Sequence, residues 1–109
     1  MDRIQYIPLG SVVQLKGGTQ KLLVVARGLN VTRGDKQFFF DYGGVLYPQG
    51  LTGDEIAYFN HDAIRALLFI GCNDMDSQAV VEAIHSSVEQ HPEWKRCTPE
   101  EWAAAQADE

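Results

Sequence analysis

Three adjacent polar residues, Asn60-His61-Asp62, place groups that could do acid–base chemistry at one point of the chain. A histidine at such a point is a candidate general base. Asn is also a favoured residue at a helix N-cap, and Asp is stabilised in a first helical turn by the helix dipole. We therefore interpret Asn60 as a cap and predict no catalytic residue here, although a ligand-binding or enzymatic role for His61 remains an alternative.

Four residues of two metal-binding types lie in the second half of the chain: Cys72, His85, His91 and Cys97. Structural zinc sites have closely spaced ligand pairs, because neighbouring ligands must converge within a few ångströms. No such pair occurs in this sequence. We predict no metal site and two free thiols.

The stretch Leu15–Thr19, "LKGGT", combines a lysine with two glycines as phosphate-binding loops do. A phosphate loop has its glycines further apart, its lysine after them, and a helix following. Here the glycines are adjacent, Lys16 precedes them, and an apolar strand pattern follows. The pattern favours a hairpin turn. Without a phosphate loop, a metal site or a nucleophile motif, we expect a protein that is not an enzyme and has no cofactor.

Length and charge exclude several classes of function. The chain has 109 residues and a net charge of −6. None of its apolar runs approaches the length of about 18 residues that a membrane span requires. Residues 1–53 carry a net charge of +3 and residues 54–109 carry −9. An acidic chain is a poor ligand for nucleic acid. We expect a cytoplasmic protein that binds no nucleic acid and does not insert into membranes.

The first part of the chain has the patterns of short strands separated by glycine-rich turns. Gly43-Gly44 inside one strand predicts a bulge or a bend. The predicted strands are Ser11–Leu15, Lys21–Arg27, Gln37–Tyr47, Ile56–Phe59 and Ala66–Ile70, with a helical turn at His61–Ile64. Five short strands in about 70 residues predict a small, strongly bent antiparallel β-barrel of SH3-like type.

The last part of the chain is predicted to be helical. Val80, Val81, Ile84 and Val88 have helical spacing after a cap at Asp74 or Asp76, and Pro92 ends the pattern. "TPEE" at 98–101 is a capping box that opens a helix over Pro99–Ala107. We predict an α+β fold in a single domain, 1–109, with the barrel in 1–71 and one or more helices in 72–109.

Aromatic residues concentrate in the predicted strands. Three consecutive phenylalanines cannot all face one side of a strand, because side chains alternate. In one alternative, an outward-facing side of the strand, either Phe39 or Phe38 with Phe40, forms a partner surface. In the other alternative, both faces of the sheet are covered. Trp94 and Trp102 either pin the tail onto the sheet or contact a partner. The residues that we predict to bind a partner are Phe38, Phe40, Tyr42, Tyr58 and Trp94.

Three ordered motifs resemble a family of small bacterial proteins, domain-of-unknown-function family 4176. They are "YIPLGSVVQLKGGTQKLLVVAR", "DYGGVLYPQGL" and "YFNHDAIRALLFIG", and they span Tyr6–Gly71. The opening Ile7-Pro8-Leu9-Gly10 departs slightly from the family pattern, and the tail after about Pro92 does not match it. The resemblance implies a companion of type VII secretion in Gram-positive bacteria, encoded beside LXG-type toxins, and it attaches no catalytic residues.

Two protein-binding functions follow from this resemblance as expectations. The first is a chaperone or adaptor that holds a secreted toxin before export, through an aromatic face or a free sheet edge. The second is an immunity protein whose acidic face covers the toxic domain.

Overall fold

Five antiparallel strands and two helices make up the computed structural model, which describes residues 1–107. The predicted α+β class is confirmed. The elements are β1 (Val12–Leu15), β2 (Lys21–Arg33), β3 (Lys36–Tyr47), β4 (Ala57–Phe59), a 3-10 turn (His61–Ala63), β5 (Ile64–Phe69), α1 (Met75–Gln90) and α2 (Pro99–Ala107).

The sheet is open, so the predicted closed SH3-like barrel is wrong. Its strand order is β4-β3-β2-β1-β5, which leaves β4 and β5 at opposite edges. A barrel would need those two strands to pair. Strand β4 has only three residues, and beyond it the edge of β3 is occupied by the chain end, where Arg96 pairs with Phe39.

Strand β2 runs six residues beyond its predicted end at Arg27 and forms a long hairpin with β3. Gly28 and Asn30 weaken the strand pattern there. Gly28 has a packing role, because a Cβ on it would lie 2.6 Å from the side chain of Ile84 in α1. An irregularity is predicted at Gly43-Gly44 in β3. It lies instead in the paired strand, β2, where the register shifts around Val25 opposite these glycines.

The "LKGGT" stretch forms the turn between β1 and β2, as the sequence predicts. Five residues, 16–20, separate the two strands, and Gly17 has a φ of +82° that disfavours other residues. A strand follows the glycines, so no helix N-terminus faces them.

The core lies between the sheet, the N-terminal segment and α1. Its buried residues are Tyr6, Val13, Leu22, Val24, Tyr42 and Phe59, with Val81 and Ile84 of α1 packed against them. Helix α1 begins at the predicted cap, where the Asp74 side chain accepts a hydrogen bond from the Ser77 N–H. It ends before Pro92, also as predicted.

Gly71, the last residue of the third motif, lies where two segments of the chain cross closely. The chain leaving β5 passes so close to Leu9 that a Cβ on Gly71 would overlap the Leu9 carbonyl oxygen. The Gly71 N–H also donates to the hydroxyl of the buried Ser11. Only glycine fits this crossing.

Candidate functional site

A buried carboxylate, Asp41, connects distant parts of the chain. Its side chain is 0% exposed and accepts hydrogen bonds from the Tyr6 hydroxyl at 3.1 Å and from the His61 backbone N–H at 2.9 Å. The Arg96 guanidinium donates to both carboxylate oxygens at 2.9 Å. A buried charge requires partners of this kind, because its desolvation is costly. Tyr6, Asp41, Asn60, His61 and Arg96 are called the Asp41 cluster below.

Asn60 lies at the predicted N-cap position of the helical turn, but its side chain makes no capping hydrogen bond there. Its side-chain carbonyl accepts from the Asp41 backbone N–H at 3.0 Å, and its amide donates to the Cys97 carbonyl at 2.6 Å. Two buried backbone groups need partners here, and an amide side chain supplies both a donor and an acceptor. The sequence holds no local signal for this role, because both partners are distant in the chain.

His61 is held in place by Tyr42. The Ile7 backbone N–H donates to the Tyr42 hydroxyl oxygen at 2.9 Å, and that hydroxyl lies 2.8 Å from His61 Nδ1. Because its oxygen already accepts a hydrogen bond, the Tyr42 hydroxyl is free to donate its proton to Nδ1. Burial is the main cause that raises the pKa of Tyr42 to about 12, and burial beside Asp41 also raises the pKa of Tyr6.

Through these hydrogen bonds, the Asp41 cluster joins segments of the fold that are far apart in the sequence. Tyr6 of this cluster and the neighbouring Tyr42 stay protonated near neutral pH, so both are available as hydrogen-bond donors. Across residues 1–107, no three His, Cys, Asp or Glu side chains gather as metal ligands would. The two cysteines are free, with Cys72 exposed and Cys97 buried, and burial raises the pKa of the Cys97 thiol.

The five predicted partner-binding residues fall into two groups by burial. Phe40 and Tyr42 are buried, and Phe38, Tyr58 and Trp94 are half-buried. Both faces of the phenylalanine strand are therefore covered, which was one of the two alternatives. Whether any of these five residues contacts a partner stays a prediction.

The two tryptophans belong to separate aromatic clusters. Trp94 stacks on His91 at 4.1 Å between ring centroids and lies 6.0 Å from Phe39. On the other side, Trp102 packs against an aromatic groove, defined here as Phe38, Phe40 and Tyr58. Both tryptophans thus pin the tail onto the sheet.

The exposed apolar surface lies elsewhere, along β5. Four consecutive residues, Leu67, Leu68, Phe69 and Ile70, are between 44% and 62% exposed and are called the apolar edge below. Within the described part of the chain, β5 pairs only with β1, so its outer backbone groups face no other strand. None of these four residues is among those predicted to bind a partner, although the run "ALLFI" lacks the alternation of a half-buried strand and is a signal for such a surface.

A groove of about 390 Å³ adjoins the apolar edge. Val12, Leu23, Tyr47 and Leu68 line it with apolar surface, and Lys21 adds a positive charge.

A family model described as Domain of unknown function (DUF4176) matches residues 6–80. The chain belongs to this family. The match covers all five strands and the beginning of α1, so the DUF4176 region contains the aromatic groove, the apolar edge and every member of the Asp41 cluster except Arg96. Residues after 80, including Trp94 and α2, lie outside it.

Neither the curated proteins nor the solved structures contain a match to this DUF4176 chain. Among residues 1–107, no helix has the length and apolar character needed to cross a membrane.

Proposed function

We propose that this DUF4176 protein is a non-enzymatic chaperone or adaptor that binds a partner protein at the edge of its sheet. The observation that carries the proposal is the apolar edge beside the unpaired side of β5. Exposed edge strands usually carry charges or prolines that prevent pairing with other chains. Here the only charged residue in β5 is Arg65, which donates to Gln14 and Gly18 of the neighbouring strand and turn.

An added strand is the binding mode that fits this surface best. The free N–H and C=O groups of β5 would pair with an extended segment of the partner, and apolar side chains of that segment would enter the groove at Leu68. Successive residues of a strand point to opposite faces, so the apolar edge offers contacts above and below the added strand.

The proposed partner is an LXG-type toxin, bound in the cytoplasm before its export by type VII secretion. Family membership supports this choice through the association that the resemblance implies. The acidic second half of the chain would favour a basic segment of the partner and speed association. Two glutamates of α1 are already close to a cation of the N-terminal segment. Arg3 pairs with Glu89 at 2.6 Å and lies 3.7 Å from Glu82, which reduces the negative charge of that helix face.

Co-purification with the toxin encoded beside the gene tests the proposal. The tagged chain is expressed with the whole toxin, with its N-terminal helical part, or with its toxic domain alone. We expect the helical part to bind and the toxic domain not to bind. Binding to the toxic domain alone would favour the immunity function instead.

A pair of variants tests the binding surface. Phe69→Glu places a charge on the apolar edge, and Met75→Glu places one at the start of α1, where Met75 is 88% exposed. A carboxylate is well tolerated in a first helical turn. We expect Phe69→Glu to weaken toxin binding at least tenfold and Met75→Glu to change it less than twofold. Equal effects of the two variants would contradict the proposed surface.

A further inference from the structure

The C-terminal helix α2 is attached to the sheet through one large side chain. Trp102 makes edge-to-face contacts with all three rings of the aromatic groove, at centroid distances of 5.1 to 5.7 Å. The Arg33 guanidinium lies over the same indole ring, 4.3 Å from its centroid. The next three residues, 103–105, are alanines, which have little apolar surface to bury. The docked position of α2 therefore depends mainly on Trp102.

Helix α2 does not fill the space available to it. A cleft of about 490 Å³ lies on one side, bounded by Arg33, Lys36 and Glu101. A second cleft of about 410 Å³ lies on the other side, where Tyr58 and Trp102 form part of the wall. Both clefts are open to solvent, so there is room beside α2 for a larger segment.

The residues just before α2 are held much more firmly. Arg96 is bonded to the buried Asp41, and the Cys97 N–H donates to the Phe39 carbonyl at 2.9 Å. Helix α2 itself has nine residues, too few to remain helical in water without a surface to pack against. It can therefore leave the groove and unfold while its attachment point stays in place.

We propose that the aromatic groove is a second protein-binding site, which α2 occupies until a partner segment displaces it. The partner segment is a short acidic helix with an aromatic anchor, because α2 itself displays the chemistry that the groove accepts. Trp102 fills the ring pocket, and Glu101 shares a cleft with two cations, Arg33 and Lys36, and one anion, Asp35. The groove lies within residues 6–80, whereas α2 lies beyond the family match.

A peptide with the sequence of residues 98–107, labelled at its N-terminus, is the probe. Its binding is measured by fluorescence anisotropy to the full chain and to the full-length variant Trp102→Ala. In the natural chain the tethered α2 competes at an effective concentration in the millimolar range. We expect the variant to bind the peptide at least tenfold more tightly than the natural chain. A peptide carrying Trp102→Ala is the control and should not bind.

A second substitution identifies the site. Adding Phe38→Ala to the Trp102→Ala chain should abolish the gain in peptide binding. If Trp102→Ala prevents folding, Ala104→Pro replaces it, because proline disrupts α2 at an exposed position and leaves the sheet intact. The chains are checked by circular dichroism, and their mass in solution by sedimentation.

Three results would overturn the proposal. One is a folded Trp102→Ala chain that binds the peptide no better than the natural chain. Another is a dimer formed by exchange of α2, which would assign the groove to a second copy. The third is loss of folding in both α2 variants, which would make α2 a structural element. The assay contains no toxin, so each result is independent of the proposed function at the apolar edge.

Discussion

Replacing Asp41 with asparagine changes the charge of the Asp41 cluster while keeping its shape. The Arg96 guanidinium donates to both oxygens of Asp41, and the His61 N–H donates to Oδ2. The asparagine amide would take the Oδ1 position, where the Tyr6 hydroxyl can turn to accept its hydrogen bond. The Arg96 guanidinium, itself a donor, would then face the asparagine NH2 group in place of one carboxylate oxygen. It would also lose its ion pair with Asp41.

The magnitude follows from the interactions that are lost. A hydrogen bond to a charged group contributes about 1.5–3 kcal/mol, and a buried group left without a partner costs about 1–3 kcal/mol. Because Arg96 is about a quarter exposed, solvent reduces its share of that cost. We expect Asp41→Asn to lower the free energy of unfolding by about 2–3 kcal/mol.

Urea unfolding followed by circular dichroism measures this change. With a slope of about 1.5 kcal/mol per molar urea, the midpoint should fall by about 1.7 M. The matched control is Asp62→Asn, which removes the same charge from an exposed position next to His61. It should change the free energy by less than about 0.5 kcal/mol. A loss below about 1 kcal/mol for Asp41→Asn would refute the account of Asp41 as a central buried partner.

Three further predictions concern packing, thiols and pH. Gly71→Ala should lower the free energy of unfolding, measured in urea, by at least about 3 kcal/mol. Gly18→Ala is the control and should be nearly neutral, because a Cβ added there contacts nothing. Equal effects of the two variants would contradict the close crossing. A thiol reagent should label Cys72 rapidly and Cys97 only after unfolding, and rapid labelling of both would contradict the burial of Cys97. Because burial raises the pKa of Tyr42 from 10.0 to about 12, the stabilisation that Tyr42 contributes is fully present below pH 10 and is lost as the pH rises through about 12. A flat stability in that range would contradict the shift.

The local elements of the fold could be predicted from the sequence because their signals are local. Asp74 caps α1 through its own side chain, and the Thr98 hydroxyl accepts from the Glu101 N–H as the predicted capping box requires, while donating to the Glu101 carboxylate. Gly34, with a φ of +64°, and Asp35 form the turn between β2 and β3, and this pair of residue types favours turns. In each case the interacting residues are only a few positions apart.

The open form of the sheet and the two surfaces could not be predicted in this way. Strand lengths do not reveal which strands will lie at the edges, and Arg96 takes its place beside Phe39 from the far end of the chain. The role of Asn60 depends on Asp41 and Cys97, both distant in sequence. Aromatic content indicated a binding face, but long-range packing decides which aromatic side chains remain exposed.

Hydrogen–deuterium exchange of the chain, alone and with the helical part of the toxin, tests the central claim most directly. A partner strand added to β5 would protect the backbone amides of Ile64–Phe69 that point away from β1. We predict strong protection of these amides in the complex. Protection confined to α1, with unchanged exchange in β5, would contradict binding at the apolar edge.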